Sequence, residues 1–226
     1  MIRALIFDFN GVLADDDPIH MEAFRQVANE EGLSFTDEEY LNKYLPLNDR
    51  DCFKLLFDEH SLPLSASKLN ELIERKGLYY FRAIDQKTVL FAEAASAVKT
   101  AAARYPLAIA SGARKVEICH ILEQGRLHDR FGVIVSAEDV EFGKPNPEPF
   151  LRAHAKLKER DRSLKISECV AIEDSIGGIQ SAHNAGMPCL AIAHSYRPER
   201  LQCVNPEWII DSIADFGPWL EKEVCK

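Results

Sequence analysis

Short apolar segments that end on polar residues alternate with amphipathic segments over most of the chain. Ile2–Phe7 is predicted to be a buried strand that ends on Asp8. Later segments of the same character are also predicted to be strands: Leu107–Ala110, Val133–Val135, Cys169–Ile172, Pro188–Ile192 and Trp208–Ile210. Helical patterns lie between them, and this alternation is typical of a doubly wound parallel sheet with helices on both faces. The pattern therefore predicts an α/β fold.

The segment after the first predicted strand differs, because it carries helical signals and no strand signal. Helix starts are indicated by capping residues: Asp17 before Pro18, the capping box Thr36–Glu39, Asn48, and Ser65 or Ser67. Gly32 and Pro46 are expected to end the first two of these helices. We therefore predict an α/β core domain, residues 1–14 and 88–226, with an inserted all-helical cap domain, residues 15–87.

The charge limits the classes of partner. The chain has 226 residues, of which 36 are acidic and 27 basic, so its net charge is −9 with neutral histidines. Nucleic acids and anionic membranes select basic surfaces, so we expect neither as a partner. Residues 15–85 hold 16 acidic and 8 basic side chains, which leaves 20 acidic and 19 basic side chains in the rest of the chain. The nearly neutral core is therefore compatible with a small anionic ligand.

We expect no targeting segment and no membrane span. The first apolar run is too short for a signal-peptide core. Ser175–Tyr196, the longest stretch without a charged residue, contains polar residues and three glycines. The six cysteines lack the spacing of a zinc site and are expected to be buried free thiols. These features predict a soluble cytoplasmic protein, which we expect to be a monomer.

The candidate chemistry lies where the predicted strands end. Asp8, Ser111 and the pair Glu173-Asp174 follow or end predicted strands, and Lys144 lies just past another. Ligands of open parallel sheets bind at the carboxyl ends of the strands, so these side chains should face one crevice. Crowded carboxylates need a cation, and hard oxygen ligands suit Mg²⁺. Lys144 and Ser111 suit a phosphoryl group, and Asp8 is placed to serve as a nucleophile that forms an aspartyl phosphate.

Four ordered motifs resemble those of the haloacid dehalogenase superfamily: Phe-Asp-Phe-Asn-Gly-Val at 7–12, Ala-Ser-Gly at 110–112, Gly-Lys-Pro at 143–145 and Ile-Glu-Asp-Ser at 172–175. The helical insert resembles the branch that includes beta-phosphoglucomutase, phosphoglycolate phosphatase and phosphonatase. The resemblance implies a Rossmann-like core with a helical cap. It also implies a Mg²⁺-dependent phosphatase or phosphomutase that acts on a small phosphorylated metabolite of the sugar phosphate type.

The resemblance further implies roles for individual residues. Asp8 would attack phosphorus. Mg²⁺ would be bound by the Asp8 and Asp174 carboxylates and the main-chain carbonyl of Asn10, with Glu173 nearby. The groups that hold the transferring phosphoryl group would be Ser111, the Gly112 amide and Lys144.

Three residues of the predicted cap lie near positions that contact substrate in the beta-phosphoglucomutase branch: His20, Arg50 and Lys76. The alternative for His20 is a polar residue in the first turn of a helix. The alternative for Arg50 and Lys76 is a solvated surface charge. The Pro-Gly that is typical of the second hinge in this branch is replaced by Val89-Leu90-Phe91-Ala92.

Asn10 departs from the resemblance, because phosphatases and mutases of the family have a second aspartate there that protonates the leaving group. Asn10 has no proton to exchange at neutral pH, and general acid–base catalysis contributes roughly 10²–10⁴ in rate. Three explanations stay open. Asn10 is an engineered substitution, or proton transfer has passed to His20, Asp15 or Asp16, or the chain has lost turnover and kept binding.

Because Asn10 replaces the second aspartate, two other functions also stay open. The first is a protein that binds phosphorylated metabolites without turnover, and the second is a phosphonatase-like enzyme. Phosphonatases use a cap lysine as a Schiff base, and Arg50 lies near where we would look for it, although Lys54 is one turn further on. Dehalogenases of the family do not need the metal ion, so the presence of the metal-binding pair Glu173-Asp174 disfavours dehalogenation. A receiver domain is disfavoured because such domains carry no helical insert.

Overall fold

The computed structural model describes residues 1–45, 47–85 and 88–224. The chain divides into two compact units, an α/β unit of Met1–Asp15 and Leu90–Lys226 and a helical unit of Asp16–Val89. Pro46, which we expected to end a helix, and the last cysteine, Cys225, lie outside the described residues.

The α/β unit is built on a six-stranded parallel sheet with the strand order β3-β2-β1-β4-β5-β6. Its strands are β1 (Ala4–Phe7), β2 (Leu107–Ala110), β3 (Phe131–Val135), β4 (Cys169–Glu173), β5 (Cys189–Ile192) and β6 (Trp208–Ile210). The strand order reverses direction at β1, which lies between β2 and β4. The predicted doubly wound parallel sheet is therefore confirmed, and each predicted strand is present within two residues of its expected bounds.

Helices account for most of the remaining chain. They are α1 (Asp17–Glu30), α2 (Asp37–Glu39), which continues as a π-helical turn (Tyr40–Tyr44), α3 (Asp49–Glu59), α4 (Ala66–Ile84), α5 (Ala94–Ala102), α6 (Lys115–Gln124), α7 (Glu148–Lys158), α8 (Ile176–Asn184), α9 (Pro198–Leu201) and α10 (Phe216–Val224). Within the described residues of the helical unit, no segment is assigned as a strand.

The sheet is covered on both faces, as its strands require, which are apolar apart from Glu173 at the end of β4. Ile6 faces the side on which α7 and α8 pack, where it joins a cluster that includes Phe150 and Ile179. Phe7, the next residue, contacts Phe216 of α10, with ring centroids 5.6 Å apart. Neighbouring residues of β1 are therefore buried on opposite faces, and the strand delivers the next residue, Asp8, to the carboxyl edge of the sheet.

The helical unit has its own apolar core, in which aromatic rings predominate. Phe24 of α1 packs against Phe53 of α3 and Tyr44, with ring centroids 4.9 and 5.4 Å apart, and these rings are almost fully buried. The capping box of Thr36 and the cap of Asn48 are present as predicted. Of the two serines offered as the cap of α4, it is Ser65 that accepts the hydrogen bond.

One predicted cap is wrong. Helix α1 begins at Asp17, so its N-cap is Asp16 and not Asp17, and the Asp16 side chain makes no capping hydrogen bond. Its carboxylate is fully buried and instead accepts the Tyr80 hydroxyl and pairs with His20. An acidic residue does stand at the N-cap, but it is Asp16, and its buried partners engage the carboxylate that would otherwise bond the helix terminus.

The cysteines match the prediction in part. The five described cysteines are free thiols, and Cys52, Cys169 and Cys189 are buried as expected. Cys119 is half-buried and Cys203 is exposed, so the expectation of burial was wrong for these two. Among the described helices, none combines the length and the apolar character that a membrane crossing requires.

The aromatic core gives a stability prediction. Replacing the fully buried Phe53 by alanine leaves a cavity and should lower the free energy of unfolding by about 3–5 kcal/mol. The control is Leu78→Ala on α4, where the leucine is 60% exposed and the expected change is within about 0.5 kcal/mol. Urea unfolding of both variants measures the difference, and equal stabilities would contradict this description of the core.

Candidate active site

Polar side chains from four strand ends lie together at the carboxyl edge of the sheet. Asp8 follows β1, Ser111 follows β2, Glu173 ends β4, and Lys144 lies in the loop after β3. The Asp8 amide donates to the carbonyl of Ile172 in β4 at 2.8 Å, which ties the end of β1 to the end of its neighbour. This edge, where the strand order reverses, is the usual place for a ligand in an open α/β sheet.

Lys144 links two of these strand ends. Its Nζ atom lies 2.6 Å from Asp8 Oδ1 and 2.5 Å from Glu173 Oε1, and all three side chains are largely buried. The ammonium also lies 5.0 Å above the centre of the Phe150 ring, which is fully buried. The two carboxylates and the aromatic face hold one positive charge at the edge of the sheet.

The charged groups of the cluster shift one another's pKa values. Burial raises the pKa of Asp8 to about 7; the Lys144 ammonium opposes this rise, and the Glu173 carboxylate adds to it. Burial alone would lower the pKa of Lys144, but Asp8 and Glu173 outweigh it and hold that pKa above its usual value. Lys144 therefore stays protonated at neutral pH, while Asp8 retains its proton to a higher pH than an ordinary aspartate.

Glu173 is held in place by its own turn. Its Oε2 atom accepts hydrogen bonds from the Asp174 and Ser175 amides and the Ser175 hydroxyl, each at 3.0 Å. A Cβ on Gly178, in the first turn of α8, would overlap the Glu173 carboxylate. The carboxylate can occupy this position, and reach Lys144 with its other oxygen, because residue 178 has no side chain.

Asp174 is packed in a similar way against the loop that follows β1. Gly11 has φ +71°, and a Cβ there would overlap the Asp174 carboxylate. Asp174 Oδ2 also accepts a hydrogen bond from the Ser195 hydroxyl. The close approach and the positive φ both require glycine at position 11.

Three carboxylates of this edge form one cluster. Asp8, Glu173 and Asp174 are buried, and each offers an oxygen within 4.8 Å of the others. Buried charges of like sign are costly unless a cation or a hydrogen-bond donor compensates them. Lys144 supplies one positive charge against three carboxylates. The oxygen donors and the excess of negative charge fit a hard divalent cation such as Mg²⁺.

Asn10 and Ser111 meet at the same edge. The Ser111 hydroxyl lies 3.5 Å from Asn10 Oδ1 and accepts a hydrogen bond from the Ala113 amide at 3.1 Å. The Ser111 amide donates to Val135 of β3 at 3.0 Å, which fixes the turn after β2. Gly112, the next residue, is exposed. Two of the three predicted phosphoryl-binding residues, Ser111 and Gly112, therefore lie on a turn held by the neighbouring strand.

Two of the predicted cap residues form a polar cluster within the helical unit. His20 and Lys76 are hydrogen-bonded to each other, and Lys76 also pairs with Asp49 at 2.8 Å. The His20 Nε2 atom lies 3.2 Å from the buried Asp16 carboxylate, and its ring stacks on Tyr80 with centroids 4.2 Å apart. Lys76 is only 1% exposed, so the alternative of a solvated surface charge is wrong for it.

Within the described part of the chain, no contact joins Arg50 to this cluster. It lies in the first turn of α3 and its side chain is exposed, which matches the alternative of a solvated charge. Lys54, considered above for Schiff-base chemistry, is also exposed and lies 3.7 Å from Asp51.

Sequence reasoning missed two residues that follow β5. Ser195 contacts Asp174, and the adjacent His194 contacts the loop of Gly11. Both lie just past the carboxyl end of a predicted strand, which is the rule that located the other site residues. Applied to the fifth strand as well, that rule would have found them.

Comparisons with known proteins agree with this geometry. The model of the family described as haloacid dehalogenase-like hydrolase matches residues 5–192. The phosphorylated carbohydrates phosphatase of Thermotoga maritima is 27% identical over 222 residues, or 95% of this chain and 99% of that protein. The putative phosphatase YhcW of Bacillus subtilis is 31% identical over 193 residues, or 85% of this chain and 84% of that protein.

A solved structure has the same fold. The crystal structure of beta-phosphoglucomutase from Clostridium difficile aligns with a TM-score of 0.85 and 21% sequence identity. The match covers 99% of this chain and 96% of that chain. These matches confirm the family resemblance and the α/β fold that the motifs predicted.

The contact between Gly178 and Glu173 gives a prediction with a matched control. Gly178→Ala places a methyl group against the Glu173 carboxylate and should lower the free energy of unfolding by about 1–3 kcal/mol. Gly177→Ala, one residue earlier in the same helix, meets nothing within 4 Å and should stabilise by up to about 1 kcal/mol. Thermal or urea unfolding measures both, and changes of the same sign and size would contradict the packing described.

Proposed function

The chain belongs to the haloacid dehalogenase-like hydrolase family, and on that premise we propose that it is a Mg²⁺-dependent phosphatase of small phosphorylated carbohydrates that uses Asp8 as its nucleophile. The observation that carries the proposal is the buried contact of Asp8 with Lys144 beside two further carboxylates. The similarity to the Thermotoga phosphatase over nearly the whole length of both chains supports the substrate class.

In the first half of the proposed reaction, an Asp8 carboxylate oxygen attacks the phosphorus of the substrate. The bond from phosphorus to the ester oxygen breaks, and the released alkoxide takes a proton from water. In the second half, a water molecule attacks the phosphorus of the aspartyl phosphate and loses a proton. Inorganic phosphate leaves, and the Asp8 carboxylate is restored.

Lys144, Ser111 and Gly112 would bind the transferring group. The Lys144 ammonium is already fixed beside Asp8 at 2.6 Å, so its positive charge is in place before the substrate arrives. Charge fixed in advance stabilises developing negative charge without a reorganisation cost. The Ser111 hydroxyl and the exposed Gly112 amide would donate to the remaining phosphoryl oxygens.

Mg²⁺ would be held by the Asp8 and Asp174 carboxylates and the main-chain carbonyl of Asn10, with Glu173 beside them. When bound, the ion supplies positive charge that neutralises the phosphoryl oxygens and the nucleophile. Glu173 has a second role in the proposal, because its Oε1 atom orients the Lys144 ammonium at 2.5 Å. Ser195 would orient Asp174 through its hydrogen bond to Oδ2.

Asn10 limits the proposed activity. An amide side chain exchanges no proton at neutral pH, so neither the alkoxide nor the attacking water receives help from this position. The Asn10 amide oxygen retains a polar neighbour in the Ser111 hydroxyl, and the proposed metal contact of this residue is through its main chain. Binding should therefore persist while both chemical steps are slow. Substrate contacts by His20, Arg50 and Lys76 stay predictions.

Asn10 also favours a second function, the binding of a phosphorylated metabolite without turnover. It predicts that ligand binds in the presence of Mg²⁺, detected by calorimetry, and that no product is formed. Multiple turnovers by the unmodified chain would exclude this second function.

Phosphate release tests the proposal. The unmodified chain should release phosphate slowly from a member of a sugar phosphate panel when Mg²⁺ is present, and not after chelation. Asn10→Asp restores a general acid–base group and should raise kcat by roughly 10²–10⁴. Asp8→Asn, made on the Asn10→Asp background, should abolish release.

Each outcome of this assay has a definite meaning. Failure of both the unmodified chain and Asn10→Asp to release phosphate from any substrate would contradict the phosphatase proposal. Retention of activity in the Asp8→Asn variant would contradict the assigned nucleophile.

A further inference from the structure

His194 lies just after β5 and contacts three separate parts of the α/β unit. Its Nδ1 atom lies 2.8 Å from the Gly11 carbonyl oxygen, and its Nε2 atom accepts a hydrogen bond from the Ile213 amide at 3.2 Å. Its ring packs against the ring of Phe91, with centroids 4.1 Å apart. The proposed chemistry explains none of these contacts.

The two ring nitrogens of His194 have fixed and opposite roles. A main-chain amide donates to Nε2, so that nitrogen carries no proton. The proton of the neutral ring is then on Nδ1, which donates it to the Gly11 carbonyl. The imidazole is therefore a donor on one side and an acceptor on the other.

The chain leaves the α/β unit and returns to it at two linkers, which we define as residues 9–15 and residues 90–92. The linkers are paired directly, because Ala14 and Leu90 form an antiparallel bridge. His194 adds one contact to each of them. It bonds the first linker through a carbonyl and packs on the second through an aromatic ring.

The first linker needs such a restraint because of Gly11. The Asp174 carboxylate excludes a Cβ at this position, so the residue is glycine and its backbone is intrinsically free. Its amide donates to the Ala14 carbonyl at 2.8 Å, and its carbonyl accepts from His194. The bond to Ala14 fixes the peptide plane that contains the Asn10 carbonyl, and the bond from His194 fixes the peptide plane on the other side of Gly11.

We propose that His194 is a positioning residue that fixes both linkers and, through Gly11, the direction of the Asn10 main-chain carbonyl that would bind Mg²⁺. The metal-binding part rests on the proposed function above. The linker part rests only on contacts within the α/β unit. The two parts are therefore tested by separate measurements.

Two substitutions separate the contacts. His194→Phe keeps a ring against Phe91 and removes both hydrogen bonds. His194→Asn retains a donor near the position of Nδ1 for the Gly11 carbonyl and removes the ring and the acceptor for Ile213. His154→Phe is a matched control, because it removes a histidine contact to a main-chain carbonyl, that of Leu164 at 3.1 Å, from α7 of the same unit.

Amide hydrogen exchange tests the linker part without metal. In His194→Phe, the Ile213 amide loses its acceptor and should exchange about tenfold faster, as expected for the loss of a hydrogen bond. The Gly11 amide keeps its bond to the Ala14 carbonyl but should also exchange faster, because the carbonyl of Gly11 is no longer held and the linker opens more often, while the Asp8 amide stays unchanged. His194→Asn should restore protection at Gly11 and not at Ile213. The linker part would be overturned if the Gly11 amide of His194→Phe exchanged at the rate of the unmodified chain. It would also be overturned if His154→Phe changed the exchange rates at Gly11 and Ile213 as much as His194→Phe does.

Calorimetric titration with Mg²⁺ alone tests the metal part. The dissociation constant should rise roughly three- to tenfold in His194→Phe and stay near the unmodified value in His194→Asn and His154→Phe. An unchanged constant in His194→Phe would overturn this part. Absence of Mg²⁺ binding in the unmodified chain would overturn the proposed function and the metal part together, and the exchange result would still decide the linker part.

Discussion

The site depends on one buried interaction, the Lys144 ammonium between the carboxylates of Asp8 and Glu173. It joins the ends of β1 and β4, which are neighbours where the strand order reverses, to a loop after β3. The three carboxylates of the cluster could not be buried so close together without compensating charge. Lys144 supplies part of that charge, and the remaining negative charge fits the divalent cation that we propose is bound here together with a phosphorylated ligand.

Close packing by glycines makes this interaction possible. A side chain at position 178 would displace Glu173, and one at position 11 would displace Asp174. The glycines near the acidic residues are therefore required by packing, in addition to the chemical role of the carboxylates. The cost of a glycine at position 11 is a backbone with little intrinsic preference, and the hydrogen bond from His194 compensates for it.

Much of the fold was predictable because it depends on local patterns. The strands are apolar up to their carboxyl ends, and the rule that ligands bind at those ends located Asp8, Ser111, Lys144 and Glu173. The errors involve tertiary partners that no local pattern encodes. Helix α1 begins at the predicted cap Asp17, and the residue at its N-cap, Asp16, bonds Tyr80 instead of the helix terminus. The alternative of a solvated charge fails for Lys76, because this residue is buried against Asp49 and His20.

In the proposed reaction Asp8 accepts the phosphoryl group, and trapping that group on the side chain tests this role most directly. Because Asn10 cannot activate water, the aspartyl phosphate should be long-lived in the unmodified chain. The chain would be incubated with Mg²⁺ and sugar phosphates, quenched in acid and reduced with borohydride, which converts an acyl phosphate to an alcohol. Peptide mass spectrometry should find the reduced side chain at position 8. A reduced side chain at another acidic residue instead of Asp8 would contradict the account.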